Sequence, residues 1–231
     1  LKEQFSMVRR IRGRISYLRE GVETGREWFE RIAHGGTDAV TLRAYCEMDD
    51  VGLTRDVTYF LDSGLRPLDA FCRVTTHGTV AGTALFLCDD TAVHCEARTN
   101  MLGRLSQTWP SKGPASYLGL HPLVGDALVA PRRGTSRYGE FLPVQGVTNS
   151  ISPNGDQGLH AMPVTIDAAW LGRENVTVPA GTFDADRYAL RWHPDWPPAY
   201  LWVCGQQALF VQLSWDMVDA RYELVELSQH T

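Results

Sequence analysis

The run AVHCEART, from Ala92 to Thr99, sets a histidine, a carboxylate and an arginine at two-residue spacing. On a strand, that spacing puts His94, Glu96 and Arg98 on one face and Val93, Cys95 and Ala97 on the other. Turned to solvent, the polar row is ordinary surface, the usual arrangement of an antiparallel sheet. Turned into a barrel, it would hold a base, an acid and a cation side by side, where burial and mutual charge shift pKa values. His121, directly before a proline in GLHPLVGD, could close over that face from a loop. His94, Glu96 and His121 are therefore the catalytic candidates, with Arg73 or Arg98 holding an anionic or phenolic group.

The aromatic residues suggest what such a site would take. RWHPDWPPAYLW gathers Trp192, His193, Trp196, Tyr200 and Trp202 within a short span. They read either as the proline-stiffened end of a core or as a flat wall for a substrate ring. Trp109, Tyr117 and Tyr138 could form the opposite wall, and Tyr45 raises the same inward-or-outward question on another strand. No P-loop, G-x-G-x-x-G, H-E-x-x-H or G-x-S-x-G is present. HCEAR lacks the P-C-x-x-C half of a zinc deaminase motif. Chemistry without cofactor or metal, by general acid/base groups in a pocket, is the expectation.

Those residues must be carried by strands. Period-two alternation runs through Ile11–Leu18, Arg26–Ala33, Val40–Met48, Thr54–Leu61, Ala70–Thr76, Val80–Cys88 and Ala92–Thr99, separated by turn signals such as HGGTD and THG. It returns at Val164–Leu171, Asn175–Val178, Phe183–Trp192, Ala199–Cys204, Ala208–Leu213 and Ala220–Leu227. Residues 103–163 are proline-rich and weakly periodic, which fits an irregular or partly helical cover over a site. Connections this short favour an antiparallel meander over crossover helices. The predicted fold is all-β, one domain over 1–231, its curved antiparallel sheet of about ten to thirteen strands forming a barrel or half-barrel.

The net charge of −5 and the scattered arginines, which outnumber lysine twenty to two, give no nucleic-acid signature. The basic cluster Lys2, Arg9, Arg10, Arg12, Arg14 and Arg19, against Glu3, reads as a solvated face. No apolar run approaches the ~18 residues of a membrane span. Five cysteines, at 46, 72, 88, 95 and 204, lie within apolar runs and form no C-x-x-C pair. They read as reduced core residues of a cytoplasmic protein.

The segment VTVPAGTF joins two alternating runs. Pro179 cannot continue a central ladder and Gly181 can take a positive φ, so a strand connection is expected there. Val176, Val178, Pro179, Ala180, Gly181, Thr182 and Phe183, followed by Trp202–Val203 and by Tyr222 and Leu224, resemble a bacterial β-barrel family. That family is of unknown function, usually exported, and akin in fold to the lipoprotein-carrier barrels. The resemblance implies a curved sheet around a hydrophobic ligand or a helix, and no catalytic residue.

Together these features point to a cofactor-independent lyase or isomerase acting on a small hydrophobic molecule, with an aromatic one favoured by the clustered rings. A lignin-derived phenolic losing formaldehyde is one concrete form. A non-catalytic carrier or sensor for a lipid or aromatic ligand is the alternative. Nucleic acid is not an expected partner, and a homodimer is left open.

Overall fold

The computed structural model describes residues 9–230; Lys2 and Glu3 of the basic cluster lie outside them. Alternating side chains lay down eight consecutive strands: β1 (Arg9–Arg19), β2 (Val22–Ala33), β3 (Val40–Met48), β4 (Leu53–Leu61), β5 (Pro67–Thr76), β6 (Thr79–Cys88), β7 (Ala92–Thr99) and β8 (Gly103–Pro110). The short β9 (Leu118–Gly119), two single-turn helices, α1 (Leu123–Asp126) and α2 (Val129–Arg133), and β10 (Leu142–Thr148) follow. The chain ends in β11 (Met162–Val178), β12 (Gly181–Arg191), β13 (Ala199–Cys204), β14 (Leu209–Trp215) and β15 (Ala220–His230). All fifteen strands form one sheet, ordered 8-7-6-5-4-3-2-1-15-14-13-12-11-10-9. Every neighbouring pair is antiparallel except β9 with β10.

The sheet is therefore a meander in which β1 pairs with β15, and it curls without joining β8 to β9. Its concave face is apolar: Ile15, Val57, Phe86, Leu201, Phe210 and Leu224 are fully buried. The cover fills that concavity, with Tyr117, Leu118, Leu120 and Val129 equally buried. The convex face carries Arg10, Arg12 and Arg14 of β1, where Arg10 and Arg12 pair with Glu30 and Arg14 with Glu23, while Arg19 pairs with Asp50 at the end of the strand.

The cover is shorter than expected. Gly103–Pro110 forms the edge strand β8, and Leu142–Thr148 pairs with β11, despite Pro110 and Pro143. Both tolerate proline for a physical reason: Pro110 ends an edge strand, and Pro143 lies near the start of its strand. Pro122 directly precedes α1, where its missing N–H costs nothing. Val164–Leu171 and Asn175–Val178 are one continuous strand, kinked by a bulge between Trp170 and Arg173, with Gly172 at φ 101°. The expected joint is a two-residue turn, Pro179–Ala180, closing the β11–β12 hairpin. Its tip is tied to β15 by Ala180 N–H donating to the Leu224 carbonyl, 3.1 Å.

Candidate functional site

Two charged residues on the concave face peg the cover in place. Glu27 is in phase with the inward residues of β2, so its carboxylate is fully buried. It accepts from the Leu123 and Val124 amides at the start of α1 (2.7 and 3.1 Å), from Tyr17 Oη (2.8 Å) and from Cys46 Sγ (3.5 Å). Burial still raises its pKa against these four bonds. Arg55, inward on β4 between Leu53 and Val57, donates to the carbonyls of His121, Asn154 and Gly155 at 3.3, 2.6 and 3.2 Å. These are backbone groups the cover could not otherwise satisfy away from water.

Between the pegged cover and strands β11, β14 and β15 lies a cavity of about 390 Å³. Trp192, Trp196, Trp215 and Ile166 line its apolar side, and Tyr17, Asp126 and His121 its polar one. The tryptophans form a continuous surface: Trp215 stands 5.2 Å from Trp192 and 5.8 Å from Trp196, centroid to centroid. Asp126 accepts from Tyr117 Oη at 3.1 Å. Burial, with Glu27 acting in the same direction, pushes its carboxyl up to about 7, against the Tyr117 bond and Arg55. His121 has a left-handed backbone (φ 68°) and donates from Nε2 to the Ser150 carbonyl at 3.0 Å. Burial and the Arg55 cation depress its pKa to about 4, so the ring is neutral at pH 7. Gly155, at φ 66°, leaves room for this packing; a Cβ there would lie 2.5 Å from the His121 ring and 2.6 Å from Arg55 Nη2.

The expected catalytic trio does not converge. On β7, Val93, Cys95 and Ala97 take the concave side and His94 and Glu96 the convex one, because burying the apolar set is favourable and burying the charged set is not. His94 bonds to Asp89 Oδ2 and Thr108 Oγ1, both at 3.1 Å, while Glu96 accepts from Ser106 Oγ at 2.5 Å. Only His121 of the three reaches the cavity.

The six binding candidates are likewise dispersed. Arg98 and Arg73 are exposed on the convex side, Arg73 lying 5.2 Å from the Phe71 ring. Tyr45 stacks on Trp28 at 6.2 Å on the same side, and Tyr138 is exposed, edge-on to Trp170. Trp202 is buried away from the cavity, held by Glu174 Oε1 at 2.7 Å and by Arg187 over its ring at 5.1 Å. Trp109 points inward, but it serves as a clamp: its Nε1 and Gln107 Nε2 both donate to the Ala161 carbonyl at 3.1 Å, tying the edge strand to the cover.

Asp126, Arg55, Glu27 and Tyr17 escaped the sequence reading. For Arg55 and Glu27 the signal was a charge in phase with apolar residues of a strand; for Asp126, an acid inside the apolar run PLVGDALV. Among the described residues, no three His, Cys, Asp or Glu side chains cluster as metal ligands would. No helix there is long and apolar enough to cross a membrane, which says nothing about strands. All five cysteines are unpaired.

No family model and no curated protein matches the sequence. Among solved structures, the chain is similar to a β-barrel-like protein of the domain of unknown function DUF1849 from Brucella abortus. The identity is 11%, the TM-score 0.55, and coverage is 98% of this chain and 99% of that one. A protein with a YmcC-like fold from Bacteroides fragilis aligns at 8% identity and TM-score 0.38, over 96% of this chain and 95% of that one. The first likeness is one of fold: the chain has a β-barrel-like fold, built here as an open, curled sheet around an ordered cover.

Proposed function

We propose that the protein binds a small aromatic or otherwise apolar molecule in the cavity beneath the cover. The observation that carries this reading is the juxtaposition of a three-tryptophan wall with Asp126 and His121 around one space of about 390 Å³. That volume lies within the ~300–1,000 Å³ of small-molecule sites, and the composition matches theirs, apolar walls with a few polar groups. Titrating aromatic alcohols and medium-chain fatty acids while following tryptophan fluorescence tests it. Saturable quenching or a spectral shift is expected, and no response to any member of the panel contradicts it.

One observation favours a catalytic version of the same site. Asp126 combines a carboxyl near neutrality with access to the cavity, the combination a general acid or base needs. A lyase acting on a phenolic substrate, with formaldehyde as product, would then use Asp126 in place of His94 and Glu96. Formaldehyde release abolished in a folded Asp126→Asn variant supports that version; release at the normal rate removes it.

The Val176–Phe183 motif and the β-barrel-like likeness support placing the chain with the V-x-V-P-A-G-T-F barrel family. The unpaired cysteines support a reducing, cytoplasmic setting for the ligand.

A further inference from the structure

Two acceptors of the cavity wall stand open. Several donors beside them are spent on the protein: Tyr17 on Glu27, Tyr117 on Asp126, Trp215 Nε1 on the Pro197 carbonyl, Thr148 on the Gly119 carbonyl and the two Nη atoms of Arg55 on three carbonyls. Arg55 Nε, Tyr222 Oη and the indole N–H groups of Trp192 and Trp196 make no hydrogen bond among the described residues. Asp126 engages only Oδ1, and its Oδ2 has no hydrogen bond or ion pair among the described residues. The neutral His121 ring carries its proton on Nε2, which donates to the Ser150 carbonyl, and its unprotonated Nδ1 lacks a partner among the described residues. A carboxylate and tryptophan rings lining one cavity offer a cation both an ion pair and cation–π contact.

We propose that the ligand is an organic ammonium compound with an aromatic body, its N–H groups donating to Asp126 Oδ2 and its ring lying on Trp192, Trp196 and Trp215. This rests on the binding reading above and adds the ligand's charge. Asp126 changes charge near neutrality; Glu27, its own pKa raised by burial, and His193, which lines the cavity beside Trp196, are titratable neighbours, and Asp126→Asn assigns the pH response among them. Tyr117 and Tyr59 from the cover and β4, and Tyr17 and Tyr222 from β1 and β15, stay protonated. Glu27 from β2 is enclosed by four bonds, Arg55 from β4 stays cationic, and His121 is neutral above about pH 4. Ammonium binding therefore strengthens as pH rises through about 7, where Asp126 ionises.

The test is calorimetric titration of the full chain with 2-phenylethylamine and with 2-phenylethanol, which differ little in shape but differ in charge. The amine stays protonated throughout at about pH 5.5 and about pH 8.5. The expected result is a preference for the amine of about tenfold or more at the higher pH, shrinking at the lower one, with the alcohol's affinity unchanged. In Asp126→Asn the preference disappears and the alcohol still binds. Equal affinities at both pH values, or a preference that survives Asp126→Asn, overturn the ammonium assignment and leave the cavity reading intact. Binding of neither compound removes both. If Asp126→Asn does not fold, the pH comparison on the wild-type chain decides.

Discussion

Glu27 and Arg55 lie on one row of the concave face, two strands apart, with Cys46 directly between them in register. Neither is satisfied by the other. Each is bonded to the cover, Glu27 to the amides that begin α1 and the Nη atoms of Arg55 to the carbonyls of 121, 154 and 155, while Arg55 Nε has no partner. An anion meets helix-start N–H groups and a cation meets carbonyls, so the two pegs fix the cover's polarity as well as its position.

Removing either peg leaves buried backbone groups without partners. Glu27→Leu and Arg55→Leu should each destabilise the fold by about 2–5 kcal/mol in urea unfolding, with the cover losing amide protection from hydrogen exchange before the sheet does. Unchanged protection over residues 117–126 and 149–156 would refute the pegging role.

On the convex face, by contrast, His94→Gln and Glu96→Gln should each change stability by less than about 0.5 kcal/mol, since their contacts are solvent-exposed. Ligand affinity should be unchanged in both. A large loss of binding or turnover in either would restore the trio that the strand's orientation separates.

Asp126 and His121 pull stability in opposite directions with pH. Asp126 binds its proton more tightly folded than unfolded, so its contribution falls as pH rises from about 4 to about 7. His121 binds its proton less tightly folded, so its contribution is full above about 6.5 and is lost as pH drops towards about 4. Asp126→Asn should therefore raise stability at about pH 8, on the order of 1–3 kcal/mol, and change little near pH 4. His121→Gln should flatten the acid side of the profile. Parallel profiles for wild type and both variants would show that neither group titrates with the shift described.

Gly155→Ala should cost about 1–3 kcal/mol, because the residue sits at positive φ and its Cβ would collide with His121 and Arg55. A thermal midpoint equal to wild type would place the 149–156 loop differently.

The strands were legible because alternation is local; those missed, β8, the two-residue β9 and β10, lie where Pro110, Pro143 and weak periodicity disguised them, and the bulge in β11 made one strand read as two. The face of each strand was harder to read. For β7, either orientation satisfies the period, and only the packing of Val93, Cys95 and Ala97 against the cover selects one. The site itself was mostly illegible, because Asp126, Tyr17 and Trp215 are brought together by the β1–β15 pairing and by the fold of the cover. Neither leaves a mark at short sequence range. Trp192 and Trp196 were visible as a wall, and of their expected partners Tyr117 does line the cavity, while Trp109 clamps the edge strand and Tyr138 faces solvent.

Binding in the cavity is tested most directly by filling it. Val164 lines the cavity and is only partly buried, so Val164→Trp should add bulk to that space without rebuilding the core. Calorimetric titration with 2-phenylethanol should show saturable binding to wild type and a loss of about tenfold or more in the folded variant. Equal binding to both proteins would contradict the cavity as the binding site.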